Sequence, residues 1–289
     1  MIVPPVRIDP FWLKVSRPGL WFQTLWLYLL PTAQRYEVFG SPVFWLGLVF
    51  VTYPLNLLVY GLNDLADQEI DRHNPRKDSF LFGARGTAAQ LRRVPAVAAA
   101  VNLPFAVAIV AVSGPRMALI LAGIVAVNVL YDMPRWGLRG RPPLELLNQL
   151  GYLLLLPFSS FLNGLPAVAP RTMVYLALFC THAHLMGEIM DVEPDRSAGR
   201  RTTATVLGAR ATKLVVMALV AGEGAMLILA FREPVLGAFL LLGAVWLLLD
   251  VTLLYRDRPY TRREFQVFGV ALNAAGFASL AWVWWRGSL

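Results

Sequence analysis

The chain has 289 residues, of which 57% are hydrophobic and only 15% charged, and its mean hydropathy is +0.56. A soluble domain carries about 25% charged residues, so a soluble enzyme or binding domain is excluded. The formal net charge of +8 would point to nucleic acid in a soluble protein, but here it follows the loops of a membrane protein and asks for no polyanionic partner.

Runs of roughly 18 or more apolar residues read as membrane-spanning helices. Nine are expected, at 17–35, 43–63, 94–113, 116–131, 144–163, 171–190, 213–231, 234–255 and 264–285. The fold class is all-α: a polytopic membrane protein, nine helices in one bundle, residues 1–289 as a single domain. The opening "MIVPPVRIDPFWLKVSRPGLW" lacks a compact apolar segment with a small-residue cleavage site, so no cleavable signal peptide is expected.

The second span, "VFWLGLVFVTYPLNLLVYGL", runs into "GLNDLADQEIDRHNPRK" from Gly61 to Lys77. Asn63, Asp67 and Asp71 are spaced i, i+4, i+8, and Asp64 precedes Asp67 by three, so on one helix the four share a face. The fifth span opens near Glu145 and Asn148, where helix-start polarity and acceptor binding are both open. The sixth ends in "GEIMDVEPDRSAGRRTTATVLGA" from Gly187. There Asp191 and Asp195 are four apart, with His184 and Glu188 extending the same face. His182 and His184 are two apart and diverge by about 200° on a helix, which argues against joint metal ligation. Glu69 and Glu193 point elsewhere, toward solvent. Gly199 and Thr202 fit a loop or helix start after the second cluster. Cys180, the one cysteine, can form no intrachain disulfide and reads as a small buried hydrophobe. Asp250, near the inner end of the eighth span, is expected to pair with Arg256 or Arg258, or else to touch the site. Trp282, Trp284 and Trp285 close the ninth span as an interfacial aromatic belt.

Cations fix the orientation. With the N-terminus in the cytoplasm, 21 of the 26 Lys and Arg residues fall in cytoplasmic segments, and Arg35, Arg116, Arg171, Arg232 and Arg286 are left outside. Both acidic stretches then end helices at the cytoplasmic face. A carboxylate in mid-bilayer costs about 2.5–3.5 kcal/mol, so five facing lipid would cost roughly 12–17 kcal/mol, comparable to a whole domain's stability. They must line a polar cavity and be offset by cations. Oxygen-only ligands favour Mg²⁺ or Ca²⁺, and Mg²⁺ habitually completes its shell with water and substrate phosphate. Two aspartate clusters facing each other would hold a diphosphate through bridging ions, with Arg72, Arg76, Lys77, Arg135, Arg139, Arg196, Arg200 and Arg201 on the correct side to meet the remaining charge. Ordinary solvated helix ends would explain one such stretch. Two with matching periodicity at matching ends are better explained as one site.

The motif text carries a resemblance. "NDLADQEID" resembles the N-D-x-x-D-x-x-x-D motif of the UbiA-type intramembrane prenyltransferases, and "DVEPDRSAG" resembles their second motif, D-x-x-x-D-x-x-x-G. The resemblance implies a nine-helix bundle that uses Mg²⁺ to transfer a prenyl group from an allylic prenyl diphosphate donor to a hydrophobic acceptor in the lipid bilayer. It implies Asp64, Asp67, Asp71, Asp191 and Asp195 as metal ligands, and Asn63 beside Arg72, Lys77, Arg135 or Arg139, Arg196 and Arg200 around the diphosphate. Tyr131 matches the tyrosine that ends the family's fourth helix, and Asp132 stands where a small residue is usual. Tyr131 is expected near the reacting carbon, with Asp132 or Glu188 as base. "EIDRHNPRK" and "DVEPDRSAGRRTTATVLGA" look most like the lycopene elongase branch, which implies a carotenoid acceptor. An aromatic quinone precursor or another lipid is the alternative acceptor, and a membrane cation transporter the alternative of another class. A transporter would need polar residues through the outer halves of the helices, which are almost entirely apolar.

Overall fold

The computed structural model describes residues 10–72, 74, 77–133, 136–258 and 260–289. Helices α1 (Pro10–Val15), α2 (Trp21–Leu29), α3 (Pro42–Phe50), α4 (Tyr53–Ala66), α5 (Gln68–Asp71), α6 (Ala88–Ser113) and α7 (Arg116–Asp132) make up the first half. The second half comprises α8 (Leu147–Tyr152), α9 (Leu155–Leu162), α10 (Pro170–Ser197), α11 (Thr203–Leu207), α12 (Ala209–Leu229), α13 (Pro234–Leu249) and α14 (Arg262–Arg286). Among the described residues the only β-type pairing is a single bridge between Ser79 and Gly83.

Among the described residues six helical segments are long and apolar enough to cross a membrane: Pro42–Ala66, Ala88–Ser113, Pro170–Ser197, Ala209–Leu229, Pro234–Leu254 and Gln266–Arg286. The other three expected spans are shorter or interrupted. Region 17–35 is α2 flanked by short 3₁₀ turns, 116–131 corresponds to the 17 residues of α7, and 144–163 is divided into a 3₁₀ turn, α8 and α9. The expected count of nine is therefore not reached by length and composition among the described residues. The first-half interruptions include Pro18, Pro31 and Pro54, each within the first two residues of its helix or 3₁₀ turn. A proline has no N–H to donate and suits such a start. At the break between α3 and α4, Asn56 Nδ2 donates to Val51 O, Thr52 O and Thr24 Oγ1 at 2.7–2.9 Å, so the carbonyls freed by the kink are satisfied inside the bundle.

Helix starts differ between the two ends of the molecule. At the end away from the acidic motifs, α3, α10 and α13 begin on Pro42, Pro170 and Pro234. At the motif end, α6, α11 and α14 begin with capping boxes, Thr87 with Gln90, Thr202 with Thr205 and Thr261 with Glu264, in which side chain and backbone satisfy each other's free donors.

The largest core lies toward the proline end. Tyr28, Phe44, Phe158 and Leu156 are fully buried there, and Tyr28 Oη donates to Phe44 O at 2.7 Å. A second core of Leu185, Ile189, Val216, Val220 and Leu247 joins α10, α12 and α13. The outer surface carries exposed Leu103, Leu119, Leu229, Leu242 and Val270, the lipid-facing belt of an integral multi-pass membrane protein.

Two buried polar clusters lie outside the acidic motifs. On α12, Glu223 is wholly buried and meets His182 Nδ1 at 2.5 Å, as a carboxylate inside a membrane bundle requires a partner. Asp250 pairs with neither Arg256 nor Arg258 through its side chain, contrary to expectation. It meets Lys213 Nζ at 2.9 Å and the Tyr260 hydroxyl. The reason is a π-helical turn at Asp250–Leu254, which leaves Asp250 facing α12 while Arg256 bonds back along its own chain to Thr252 O.

Candidate active site

The two acidic stretches converge on one cavity of about 240 Å³. From the first stretch Asn63 and Asp67 line it, together with Tyr60 one turn earlier. From α10 the wall is Ala183, His184, Gly187, Glu188, Asp191 and Asp195, a single helical face with the acidic residues at one end. Phe179 and Cys180 continue that face deeper, opposite Leu20, Leu27 and Val59. The cavity is therefore ionic at the motif end and apolar at the other.

The first stretch is not one straight helix. α4 ends at Ala66, Asp67 caps it with φ −95° and ψ 8°, and α5 supplies one more turn. Asp71 N still donates to Asp67 O at 2.8 Å, so the face bends rather than scatters. Lys77 then folds back, placing Nζ 2.6 Å from Asp64 Oδ1 and 2.7 Å from Asp71 Oδ2. Burial pushes the Asp71 carboxyl above its ordinary range, and the Lys77 ammonium opposes that shift. Gly83 sits at φ +97°, and a Cβ there would lie 3.0 Å from Asp64 Oδ2, so glycine is the residue this left-handed turn against the carboxylate accepts.

Cations stitch the two stretches together. Arg200 Nη1 lies 3.0 Å from Asp67 Oδ1 and 3.5 Å from Asp195 Oδ1. Arg139 also contacts Asp67 and is 3.3 Å from Asp132 Oδ1. Asn74 Nδ2 donates to Asp191 Oδ1 at 2.9 Å, a direct tie between the tail of the first motif and the second. Tyr131 and Asp132 line the cavity from α7, and the Tyr131 ring meets His184 edge-on with centroids 6.4 Å apart.

Other placements depart from the sequence expectation. Arg72 pairs with Glu69 at 3.0 Å and Arg196 with Glu193 at 3.5 Å, all four side chains more than half exposed. Both arginines sit outside the cavity, each paired on the solvated face with an acidic neighbour three residues away. Arg76 and Arg135 lie outside the described residues. Glu188 lines the cavity, but its Oε2 accepts from Ala204 N at 3.0 Å. Glu145 Oε1 accepts from Thr203 N and Thr203 Oγ1 at 2.7 and 2.6 Å. Two buried carboxylates thus anchor the N-terminus of α11, where a helix favours negative charge, and so hold the loop that carries Arg200 and Thr202. Asn148 is buried on the cavity wall.

Arg17 is the site residue that sequence reasoning missed. It sits at φ 49° in the turn before α2, donates to Asp64 Oδ1 at 2.6 Å and to Asn63 Oδ1 at 3.2 Å, and lies 4.6 Å from the centre of the Tyr60 ring. The signal available was "SRPG", a cation in a turn beside a membrane span, which serves equally as an interfacial anchor. Gln23, Tyr60 and Tyr152, also on the cavity wall, carried no motif at all.

The donor chemistry suits a hard divalent cation: every motif ligand is oxygen, and Asp64 Oδ2 is buried without a hydrogen-bond partner. Among the described residues no three His, Cys, Asp or Glu side chains already stand close enough to hold an ion. Arg17, Lys77, Arg139 and Arg200 occupy the acidic side chains instead. A buried, cation-paired aspartate pocket opening into an apolar chamber is the architecture of an enzyme that handles a phosphorylated lipid.

A family model described as the UbiA prenyltransferase family matches residues 20–273, and the chain belongs to that family. It is a prenyltransferase. It is 31% identical over 220 residues to a lycopene elongase/hydratase of Haloarcula japonica, covering 72% of this chain and 70% of that protein. It is 29% identical over 205 residues to a lycopene elongase/hydratase of Corynebacterium glutamicum, covering 68% of each. Among solved structures, a UbiA homologue from Archaeoglobus fulgidus bound to DMAPP and Mg²⁺ superposes with a TM-score of 0.65 at 17% identity, over 94% of this chain and 99% of that one. A UbiA homologue from Aeropyrum pernix K1 in its apo form gives 0.56 at 18% identity, over 95% and 98%. These two show the shared fold.

Proposed function

We propose that this protein transfers the prenyl group of an allylic prenyl diphosphate to a hydrophobic acceptor dissolved in the membrane, and that the acceptor is a carotenoid of the lycopene type. The observation that carries the reading is one cavity lined by Asp67, Asp191, Asp195, Arg17 and Arg200 at one end and by Leu20, Leu27, Val59 and Phe179 at the other. The names of the curated relatives support the carotenoid acceptor, and the Mg²⁺ and allylic diphosphates of the Archaeoglobus fulgidus homologue support the donor and the ion. The excess of cations at the motif end supports a site open to the cytoplasm, on the inner membrane in a bacterial cell.

Asp64, Asp67, Asp71, Asp191 and Asp195 would hold Mg²⁺, which when bound neutralises charge developing on the leaving diphosphate. The chain's own cations do the rest of that work. Lys77, Arg139, Arg200 and Arg17 turn from the aspartates to the diphosphate oxygens, with Asn63 beside them, and stabilise the oxygen that takes the C–O bond pair. Arg72 and Arg196, on the solvated face, are left out of this set. The allylic cation left behind faces Tyr131 and Tyr60, whose rings stabilise positive charge, while Leu20, Leu27, Val59 and Phe179 keep water from it. The acceptor's double bond then attacks the cation.

Replacing Asp67 or Asp191 with Ala and measuring Mg²⁺-dependent diphosphate release tests the site; unchanged turnover refutes it. The acceptor is tested by expression in a lycopene-producing host. Carotenoids heavier by one or two prenyl units are expected, and their absence alongside intact diphosphate release redirects the assignment to a quinone precursor or another lipid.

A further inference from the structure

Attack of a double bond on an allylic cation leaves a second carbocation on the acceptor, and an alkene product forms only when a neighbouring C–H bond gives up its proton. The residues around the apolar half of the cavity contain few groups able to take it. Asp67 and Asp132 are tied to Arg139. Tyr131 is a phenol, an acid of pKa about 10 in its ordinary state, and carries no base at neutral pH. Glu188 is held through Oε2 by Ala204 N, and its Oε1 lies against His184 Nε2.

His184 is different. It lies on the cavity wall, on the face of α10 one turn deeper than Glu188. Its Nε2 is 3.1 Å from Glu188 Oε1, within pairing distance although neither atom makes a hydrogen bond as placed, and its Nδ1 is 2.8 Å from Gln149 Nε2. An amide nitrogen donates, so Nδ1 is the acceptor and the ring proton sits on Nε2, toward the carboxylate. This is a tautomer assigned from hydrogen bonding. A carboxylate within reach of one imidazole nitrogen favours the proton there, leaves the other nitrogen as a base, and steadies the imidazolium that forms. Glu188 can do this because Ala204 N fixes its far oxygen. Gln149, also on the cavity wall, covers the basic nitrogen and exposes it by rotating its own side chain. Beside the ring, a Cβ on Gly187 would meet nothing within 4 Å, so the wall next to His184 is open.

We propose that His184 Nδ1 takes the proton that completes transfer, with Glu188 as its positioning residue; this rests on the prenyl-transfer reading of the cavity. The C–H bonding pair becomes the new C=C π bond, the carbon loses its positive charge, and the proton forms N–H on Nδ1. The resulting imidazolium faces the Glu188 carboxylate through Nε2–H and returns its proton to water at the ionic mouth once product leaves. Glu188, which sequence reasoning offered as the base itself, acts through His184.

The test uses purified full-length protein in lipid vesicles with allylic diphosphate, Mg²⁺ and lycopene. His184→Gln keeps a hydrogen-bonding side chain and removes the base. Alkene product is expected to fall about 10²-fold, the scale of a lost general base, while Mg²⁺-dependent diphosphate release persists and the transferred product shifts toward the water-quenched alcohol. An unchanged alkene yield and alkene-to-alcohol ratio overturn the proposal. In the wild-type protein, ¹⁵N NMR with the His184 signals assigned by their loss in His184→Gln should find the proton on Nε2. A proton on Nδ1 overturns the proposal whatever the acceptor is. Wild-type protein that releases diphosphate but leaves lycopene unaltered breaks the carotenoid reading alone, and the tautomer measurement still decides the role of His184.

Discussion

The two acidic motifs do the same chemical job from different mechanical positions. The first lies where a helix breaks: Asp64, Asp67 and Asp71 are all buried, and Lys77 loops back to bridge two of them. The second lies on α10, an unbroken helix of 28 residues, with Asp191 half-buried at the cavity and Asp195 held by Arg200. The first motif is thus part of what holds its own loop in place, whereas the second is displayed on a helix that would stand without it. Removing an aspartate should therefore cost stability in one motif and mainly activity in the other.

Asp64→Ala gives the largest expected effect. Asp64 Oδ1 receives both Arg17 and Lys77 at 2.6 Å, with side-chain exposures of 1%, 15% and 6%. Deleting one partner of a buried ion pair costs about 3–5 kcal/mol because the other charge stays buried. The variant should lose activity and also unfold at a clearly lower temperature in detergent. Asp191→Ala should lose activity with a smaller shift, no more than a charge-assisted hydrogen bond of about 1.5–3 kcal/mol. Equal melting shifts in the two variants would erase the distinction between the motifs.

Arg200→Ala comes next. Arg200 bridges Asp67 on the first stretch to Asp195 on the second, and it is a proposed diphosphate ligand. Turnover should fall about 10²-fold, the scale of losing one preorganised charge donor. Glu145→Gln sharpens the same point at a distance. Glu145 hydrogen-bonds to the start of α11, so turnover should fall less than in Arg200→Ala, through misplacement of the loop that carries Arg200. A Glu145→Gln loss as large as that of Arg200→Ala would mean that Glu145 acts at the reacting groups.

The same contrast explains what could be read from the sequence. The aspartates were legible because their periodicity survives: even across the bend at Asp67, the hydrogen bond from Asp71 N to Asp67 O keeps them on one side. The apolar runs were legible as a membrane class, but nine long spans were not reached among the described residues: Pro18 and Pro31 bound the short α2 within one run, α7 has 17 residues, and 144–163 is divided into a 3₁₀ turn, α8 and α9. Arg17 could not be found by spacing, since it reaches Asp64 across 47 positions and only the fold brings them together. Arg72 and Arg196 were assigned by charge and side alone. Choosing among cations on one face requires knowing which the fold turns into the cavity, and the side chains of these two stand more than half exposed. Asp250 was misread for the opposite reason, since proximity in sequence favoured Arg256 where a buried lysine on another helix won.

Gly187→Phe probes the apolar half of the cavity. A Cβ at Gly187 meets nothing within 4 Å, so the substitution has room on the backbone and places its ring in the chamber between His184 and Asp191. Activity on a bulky acceptor should fall more than diphosphate release, with the melting temperature close to wild type. Equal loss of both would mean that this part of the wall lies along the donor and not the acceptor.

The smallest effect should come from Arg196→Ala, and it is the most discriminating within the second motif. Arg196 directly follows Asp195 in sequence, yet its side chain is 57% exposed and its partner Glu193 is 55% exposed, at 3.5 Å. An exposed pair of this kind contributes about 0–1 kcal/mol, so both stability and turnover should stay near wild type. If Arg196→Ala instead lost as much activity as Arg200→Ala, the guanidinium would have to swing inward when the diphosphate binds. The cation set at the ionic mouth would then be assembled by substrate on both motifs, and the second would be no more preformed than the first.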